Sequence, residues 1–132
     1  MPVTLFLLNF TAWARSQPDV LAAALVGSYA RGTASPTSDV DLVILARDPQ
    51  KYLSDQAWVR RFGQPLRSQM EDYGRLTSLR VWYQSGLEVE FGLTGADWAA
   101  RPLDAGTRRV IEDGLRVLFE RLPLLSPYQS PE

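Results

Sequence analysis

Apolar residues recur at helical spacing from the start of the chain. Val3, Phe6, Leu7, Phe10, Trp13 and Ala14 fall on one stripe, which predicts a helix over residues 3 to about 16, stopped before Pro18. Leu5, Leu8 and Ala12 are apolar as well, so this helix needs a second burial surface: a sheet on one side and a partner on the other. Asp19 then gives way to a continuous apolar run, Val20 to Val26, ending at Gly27, as suits a strand covered on both faces. Residues 28–38 are small and polar, with Ser28 to about Ala34 suited to a short helix, and a second strand is predicted from Asp39 to Ala46. Asp48 as N-cap, Pro49 at the first helical position and Gly63 as a stop frame residues 49–62 as one helix, or two short ones broken near Asp55.

Three strand-like segments follow at about 65–70, 76–84 and 87–94, divided by turns at Glu71–Gly74 and Gln84–Gly86, and they are expected to be antiparallel neighbours. In the last of them Leu87, Val89, Phe91 and Leu93 take one face while Glu88, Glu90 and Gly92 take the other, so one side is core and the other acidic. Asp104 caps a closing helix carrying Val110 and Ile111. Beyond Gly114, Leu115 to Phe119 either continues that helix or forms a short strand. The pattern as a whole predicts an α/β (α+β) fold, a small mixed sheet flanked by helices. It forms a single domain over residues 1–122, and a loosely ordered tail follows at 123–132, where Pro123, Pro127 and Pro131 break regular structure.

Composition narrows the chemistry. With neither Cys nor His among 132 residues, thiol and imidazole catalysis and zinc sites are excluded, leaving carboxylates, hydroxyls, Arg, backbone amides and hard metal ions. A net charge of −1 with no basic stripe argues against extended nucleic-acid binding while leaving a single nucleotide open. The apolar opening ends at Arg15, short of the roughly 20 residues a membrane span requires, and no cationic segment precedes it. The expected compartment is the cytoplasm. Trp13, Trp58, Trp82 and Trp98 share no spacing and read as core or interface side chains, Trp82 being the exception to consider as a base-stacking surface.

One stretch concentrates the chemistry: Gly27-Ser28-Tyr29-Ala30-Arg31-Gly32 through Ser38-Asp39-Val40-Asp41-Leu42. Gly27 lets the backbone turn sharply out of the first strand, so that the Ser28 hydroxyl and the amides after it face outward as donors to an anion such as phosphate. Arg31, one turn on, adds a permanent charge. Asp39 and Asp41, two apart on a strand, leave the same face, and such a pair suits Mg²⁺ or Mn²⁺ arriving with a nucleotide. Should the 87–94 strand lie beside the second strand, its acidic face supplies a third carboxylate, Glu88 or Glu90. Two ions could then clamp an in-line displacement at phosphorus.

Gly27-Ser28, ten intervening residues, then Asp39-Val40-Asp41 resembles the signature of the DNA polymerase β nucleotidyltransferase superfamily, in its minimal single-domain branch. The local form is similar to small bacterial enzymes that include aminoglycoside adenylyltransferases and the antitoxins paired with HEPN toxins. The resemblance implies that Ser28, on the Gly27 turn, binds the triphosphate, where Arg31 by its position adds a charge, and that Asp39, Asp41 and a third acidic residue hold the metal and catalyse. Val89-Glu90-Phe91 fits the setting of that third residue, which selects Glu90 over Glu88. The implied activity is metal-dependent transfer of a nucleoside monophosphate, AMP from ATP, to a hydroxyl of a protein or small-molecule acceptor, with release of pyrophosphate. No further helical domain for a small molecule is evident, so a HEPN-like partner or a second subunit is expected to complete the site. Two alternatives follow from the same resemblance: an antitoxin-type binding module with catalysis secondary or absent, and an aminoglycoside or lincosamide adenylyltransferase.

Overall fold

The computed structural model describes residues 3–131; Met1, Pro2 and Glu132, the last residue of the Pro-rich tail, lie outside the described residues. Six strands, β1 (Val20–Val26), β2 (Val40–Ala46), β3 (Pro65–Asp72), β4 (Thr77–Tyr83), β5 (Glu88–Thr94) and β6 (Leu115–Glu120), form one sheet in the order β3-β4-β5-β2-β1-β6. Only β2 and β5 run parallel; every other neighbouring pair is antiparallel. The antiparallel β3-β4-β5 meander and the fully buried β1 match the hydrophobic pattern.

One face of the sheet is covered by α1 (Val3–Ser16), α3 (Pro49–Ser54) and a 3-10 helix (Ala57–Phe62), the two short elements separated at Asp55 and Gln56. The stripe of α1 buries Phe6, Phe10, Trp13 and Ala14, while Leu5 and Leu8 on its outer side stay exposed. Phe6, Phe10, Trp13, Tyr52, Trp58 and Phe62 form an aromatic cluster beneath Phe91 of β5. Trp13 and Trp58 stack at 4.8 Å, and Trp58 meets Phe91 edge-on at 4.8 Å. This rigid packing on one side of β5 holds the register of the acidic residues that alternate to the other side.

The opposite face is covered only in part. Ala22, Ala24 and Val26 of β1, Val43 and Leu45 of β2 and Leu115 of β6 are sealed by Trp98, Ala99 and Leu125, with Val110 and Ile111 of α4 (Ala105–Asp113) packed alongside. The Asp104 side chain accepts a 2.6 Å hydrogen bond from Thr107 N–H and so caps α4 as the sequence predicts. Over β2, β5 and β4 this layer stops short, and the acidic face of the sheet lies open.

Three expectations are corrected or resolved here. β2 begins at Val40, so Asp39 sits in the preceding loop, where a turn links Ser35 N–H to Ser38 Oγ at 2.9 Å and Ser38 N–H to the Ser35 carbonyl at 3.0 Å. Leu115–Glu120 is a strand, because Gly114, at φ 125°, ends α4 and turns the chain back against β1. The segment after Pro123 is docked where a loose tail is expected. Leu125 is fully buried, Tyr128 Oη donates to the Ala99 carbonyl at 2.8 Å, and the Gln129 and Ser130 side chains accept from Val117 N–H and Leu115 N–H at 2.7 and 2.8 Å. Those bonds satisfy the outer edge of β6, which would otherwise present unpaired backbone groups.

Candidate active site

The site is a row of residues lying side by side across the open face. Val26 pairs with Asp41, Asp41 with Glu90, and Glu90 with Arg80, from β1, β2, β5 and β4 in turn. In-register neighbours on adjacent strands point to the same face about 4.8 Å apart, so strand pairing alone brings Asp41 and Glu90 together although nearly fifty residues separate them. Asp39, just ahead of β2, joins them: carboxylate oxygens of Asp39, Asp41 and Glu90 lie within 4.8 Å of one another, all three side chains being partly buried.

This crowding has an electrostatic consequence. The Asp41 carboxyl is pushed up from 3.8 to about 8, first by burial and then by the negative charges of Asp39 and Glu90. Three oxygen ligands converging at a cleft, one of them held far from its ordinary ionisation by burial and then by its neighbours, are the donor set of a hard divalent cation such as Mg²⁺ or Mn²⁺, so these residues fit that ion.

Gly27 closes the row at the β1 end, on the first residue of α2 (Gly27–Arg31), with φ at 74°. A Cβ there would fall on the Asp41 carboxylate, so the position needs glycine both for its left-handed backbone and for the space it leaves. Ser28 follows on the same turn, half-buried, and its carbonyl accepts from Thr33 N–H at 3.0 Å. Arg31 points elsewhere: its exposed guanidinium donates to the Asp113 carbonyl at the end of α4 at 3.4 Å, and its stem packs on Gly114. Arg116 of β6 braces the same short helix through a 2.9 Å bond to the Ala30 carbonyl.

β4 supplies residues that sequence reasoning missed. Arg80 donates to Glu88 at 2.8 Å and to Glu90 at 2.9 Å, and lies 3.5 Å from Glu71 and 3.7 Å from Asp39; Ser78 donates to the other oxygen of Glu90 at 2.8 Å. The only signal available was alternation: Ser78, Arg80 and Trp82 share the face of β4 opposite Leu79, Val81 and Tyr83, but which strand they faced depended on the meander. Trp82 is capped by the Arg67 guanidinium 3.9 Å above its ring. Glu88 is engaged with Arg80 and lies outside the converging set of three.

Beside the triad, a cleft of about 450 Å³ lies between the strands and α4, lined by Gly27, Asp41, Glu90 and Ser78 and by Arg75, Trp98, Thr107 and Arg109. Gly92 forms part of its floor; a Cβ there would strike Leu76 and the Leu42 carbonyl, so glycine lets Leu76 fold across β5. Among the described residues no helix is long and apolar enough to cross a membrane.

This geometry agrees with what comparison finds. No curated protein matches the chain by sequence. Among solved structures, the chain is similar to an aminoglycoside 6-adenyltransferase from Bacillus subtilis, with a TM-score of 0.58 and 13% identity, over 84% of this chain and 38% of that one. At that identity the likeness is one of fold. The model of the nucleotidyltransferase domain family matches residues 10–90, which takes in the second half of α1, the Gly27-Ser28 turn, both aspartates and Glu90. The chain therefore belongs to the nucleotidyltransferase domain family, within the polymerase β-like superfamily.

Proposed function

We propose that this protein is a metal-dependent nucleotidyltransferase that transfers AMP from ATP to a hydroxyl of a protein or small-molecule acceptor, releasing pyrophosphate. The observation that carries this reading is the convergence of Asp39, Asp41 and Glu90 beside the Gly27-Ser28 turn at an open cleft. In this reading the triphosphate lies against Gly27 and Ser28. Asp39, Asp41 and Glu90 hold Mg²⁺ or Mn²⁺. When bound, that ion neutralises the triad and stabilises charge on the phosphoryl oxygens. The acceptor oxygen forms its bond to the α-phosphorus as the bond to the bridging oxygen breaks, and pyrophosphate leaves with that electron pair. The hydroxyl proton passes to a carboxylate, since the chain contains no histidine, and Glu90 either completes the metal site or takes that proton. Arg31 is assigned to the triphosphate only if its side chain leaves the Asp113 carbonyl. The expected compartment is the cytoplasm, where ATP is available.

The test is a thermal-shift panel with ATP, GTP, CTP and UTP, each with and without Mg²⁺, on the wild type and Asp41→Asn, followed by pyrophosphate release with candidate acceptors. A nucleotide at 100 times Kd adds about 2.7 kcal/mol, readable as a rise in Tm. A magnesium-dependent rise confined to one or two nucleotides and lost in the variant supports the reading; no rise with any nucleotide refutes it.

Leu5 and Leu8, exposed on the outer side of α1, favour a second reading in which this surface binds a HEPN-like protein or a second copy of the chain, and catalysis is secondary. It predicts a complex that survives Asp39→Asn and Asp41→Asn together, measured by size-exclusion chromatography with light scattering.

A further inference from the structure

We propose that Arg80 and Ser78 are positioning residues for the carboxylate triad, a clamp on β4 that aims Glu90 and Asp39 at the incoming cation. This rests on the nucleotidyl-transfer reading for the assignment of Asp39, Asp41 and Glu90 as the metal site. The clamp itself follows from which atoms are engaged. Ser78 Oγ donates to Glu90 Oε1 at 2.8 Å and Arg80 Nη2 to Glu90 Oε2 at 2.9 Å, so each carboxylate oxygen is held by a different side chain and the group cannot rotate about its terminal bond. Every carboxylate oxygen has a second lone pair, and those on Glu90 remain for a metal on the side of Asp41.

Ser78 is fully buried, and its hydroxyl donates directly to Glu90. Arg80 is itself fixed, its planar fork shared among Glu88, Glu90, Asp39 and Glu71 at 2.8–3.7 Å. A resident cation that merely occupied the metal position would bridge all three triad members. Arg80 does not: Asp41 is not among its ion-pair partners, and the guanidinium approaches from the β4 side. Four carboxylates, Asp39, Glu71, Glu88 and Glu90, surround Arg80 and share its one positive charge, so the cluster keeps a negative excess that attracts a divalent ion with Arg80 in place. Partners that orient a metal ligand contribute about 10–100-fold to metal affinity.

The experiment measures Mn²⁺ binding to the nucleotide-free protein, from the electron paramagnetic resonance signal of free Mn²⁺, in the wild type, Arg80→Gln, Arg80→Lys and Ser78→Ala. Metal-free circular dichroism melts confirm that each variant is folded at the assay temperature. A clamp predicts that Arg80→Gln and Ser78→Ala each weaken Mn²⁺ binding by about 10–100-fold, and that Arg80→Lys, which keeps the charge but loses the fork, falls between wild type and Arg80→Gln. A competing counter-ion predicts the reverse, tighter binding on loss of the charge. Unchanged or tighter binding by Arg80→Gln, with wild type binding Mn²⁺, overturns the clamp and leaves the nucleotidyl-transfer reading standing. Should Arg80→Gln fail to fold, Ser78→Ala decides alone, and unchanged binding there overturns the clamp. Failure of the wild type to bind Mn²⁺ overturns the metal-site reading and the clamp with it.

Discussion

Asp41 is held in the folded state where its charge is least welcome, so replacing it with asparagine should stabilise the metal-free protein while abolishing nucleotidyl transfer. The folded carboxyl ionises near 8 against 3.8 for the same group in the unfolded chain, with burial as the leading cause and Asp39 and Glu90 following. At about 1.4 kcal/mol for each pH unit, the ceiling on the penalty at pH 7 is about 4 kcal/mol. Asp41 is only partly buried, so solvent screening reduces this to about 1–2 kcal/mol. For a chain of 132 residues that corresponds to a Tm rise of about 4–8 °C.

The sign follows from proton counting. Between pH 4 and pH 8 the unfolded chain has released the Asp41 proton and the folded protein still holds it, so wild-type stability from this group is fully present below about pH 4 and is lost as pH rises toward about 8. Asparagine does not titrate. The Asp41→Asn advantage should therefore be small at pH 5, grow through pH 7 and level off above pH 8, in circular dichroism melts recorded with a chelator present. A Tm difference that is flat across this range, or a variant less stable than wild type at pH 7.5, would refute the electrostatic account of the site.

Three further outcomes follow. Gly27→Ala should lower stability by about 1–2 kcal/mol through its positive φ and reduce pyrophosphate release by about 100-fold by displacing Asp41; wild-type rates would show that the close approach is unimportant. Leu125→Ala, in the docked C-terminal segment, should destabilise by about 2–4 kcal/mol in urea titrations, whereas a change below about 0.5 kcal/mol would mean that the segment does not seal the core. Glu90→Gln should cut pyrophosphate release by more than about 100-fold and Glu88→Gln by less than about 10-fold, because only Glu90 belongs to the converging set; equal losses would return the third carboxylate to an open choice.

Local chemistry along the chain determined a large part of this protein. The apolar stripe of α1, the unbroken β1 run, the Asp48-Pro49 start, the Asp104 cap and the alternation of β5 are near-neighbour patterns, and near-neighbour forces decide them. The Gly27-Ser28 turn and Asp39-Val40-Asp41 were legible for the same reason, since the chemistry they suggest lies within a few residues of backbone. What depended on tertiary structure was everything set by strand order. The parallel pairing of β2 with β5 puts Glu90 beside Asp41, and the antiparallel pairing of β5 with β4 puts Arg80 and Ser78 beside Glu90. The β4–β5 hairpin follows from the turn between them, but its register does not, and the β2–β5 adjacency is not encoded by spacing at all, because register between strands far apart in sequence is fixed by the burial of whole faces at once. Arg31 illustrates the converse: one helical turn from Ser28, it is drawn off to the carbonyl end of α4, a partner 82 residues away that no local pattern announces. The prolines after Leu122 exclude helix and strand interiors but say nothing about docking, and it is the open edge of β6 and the pocket for Leu125 that order that segment.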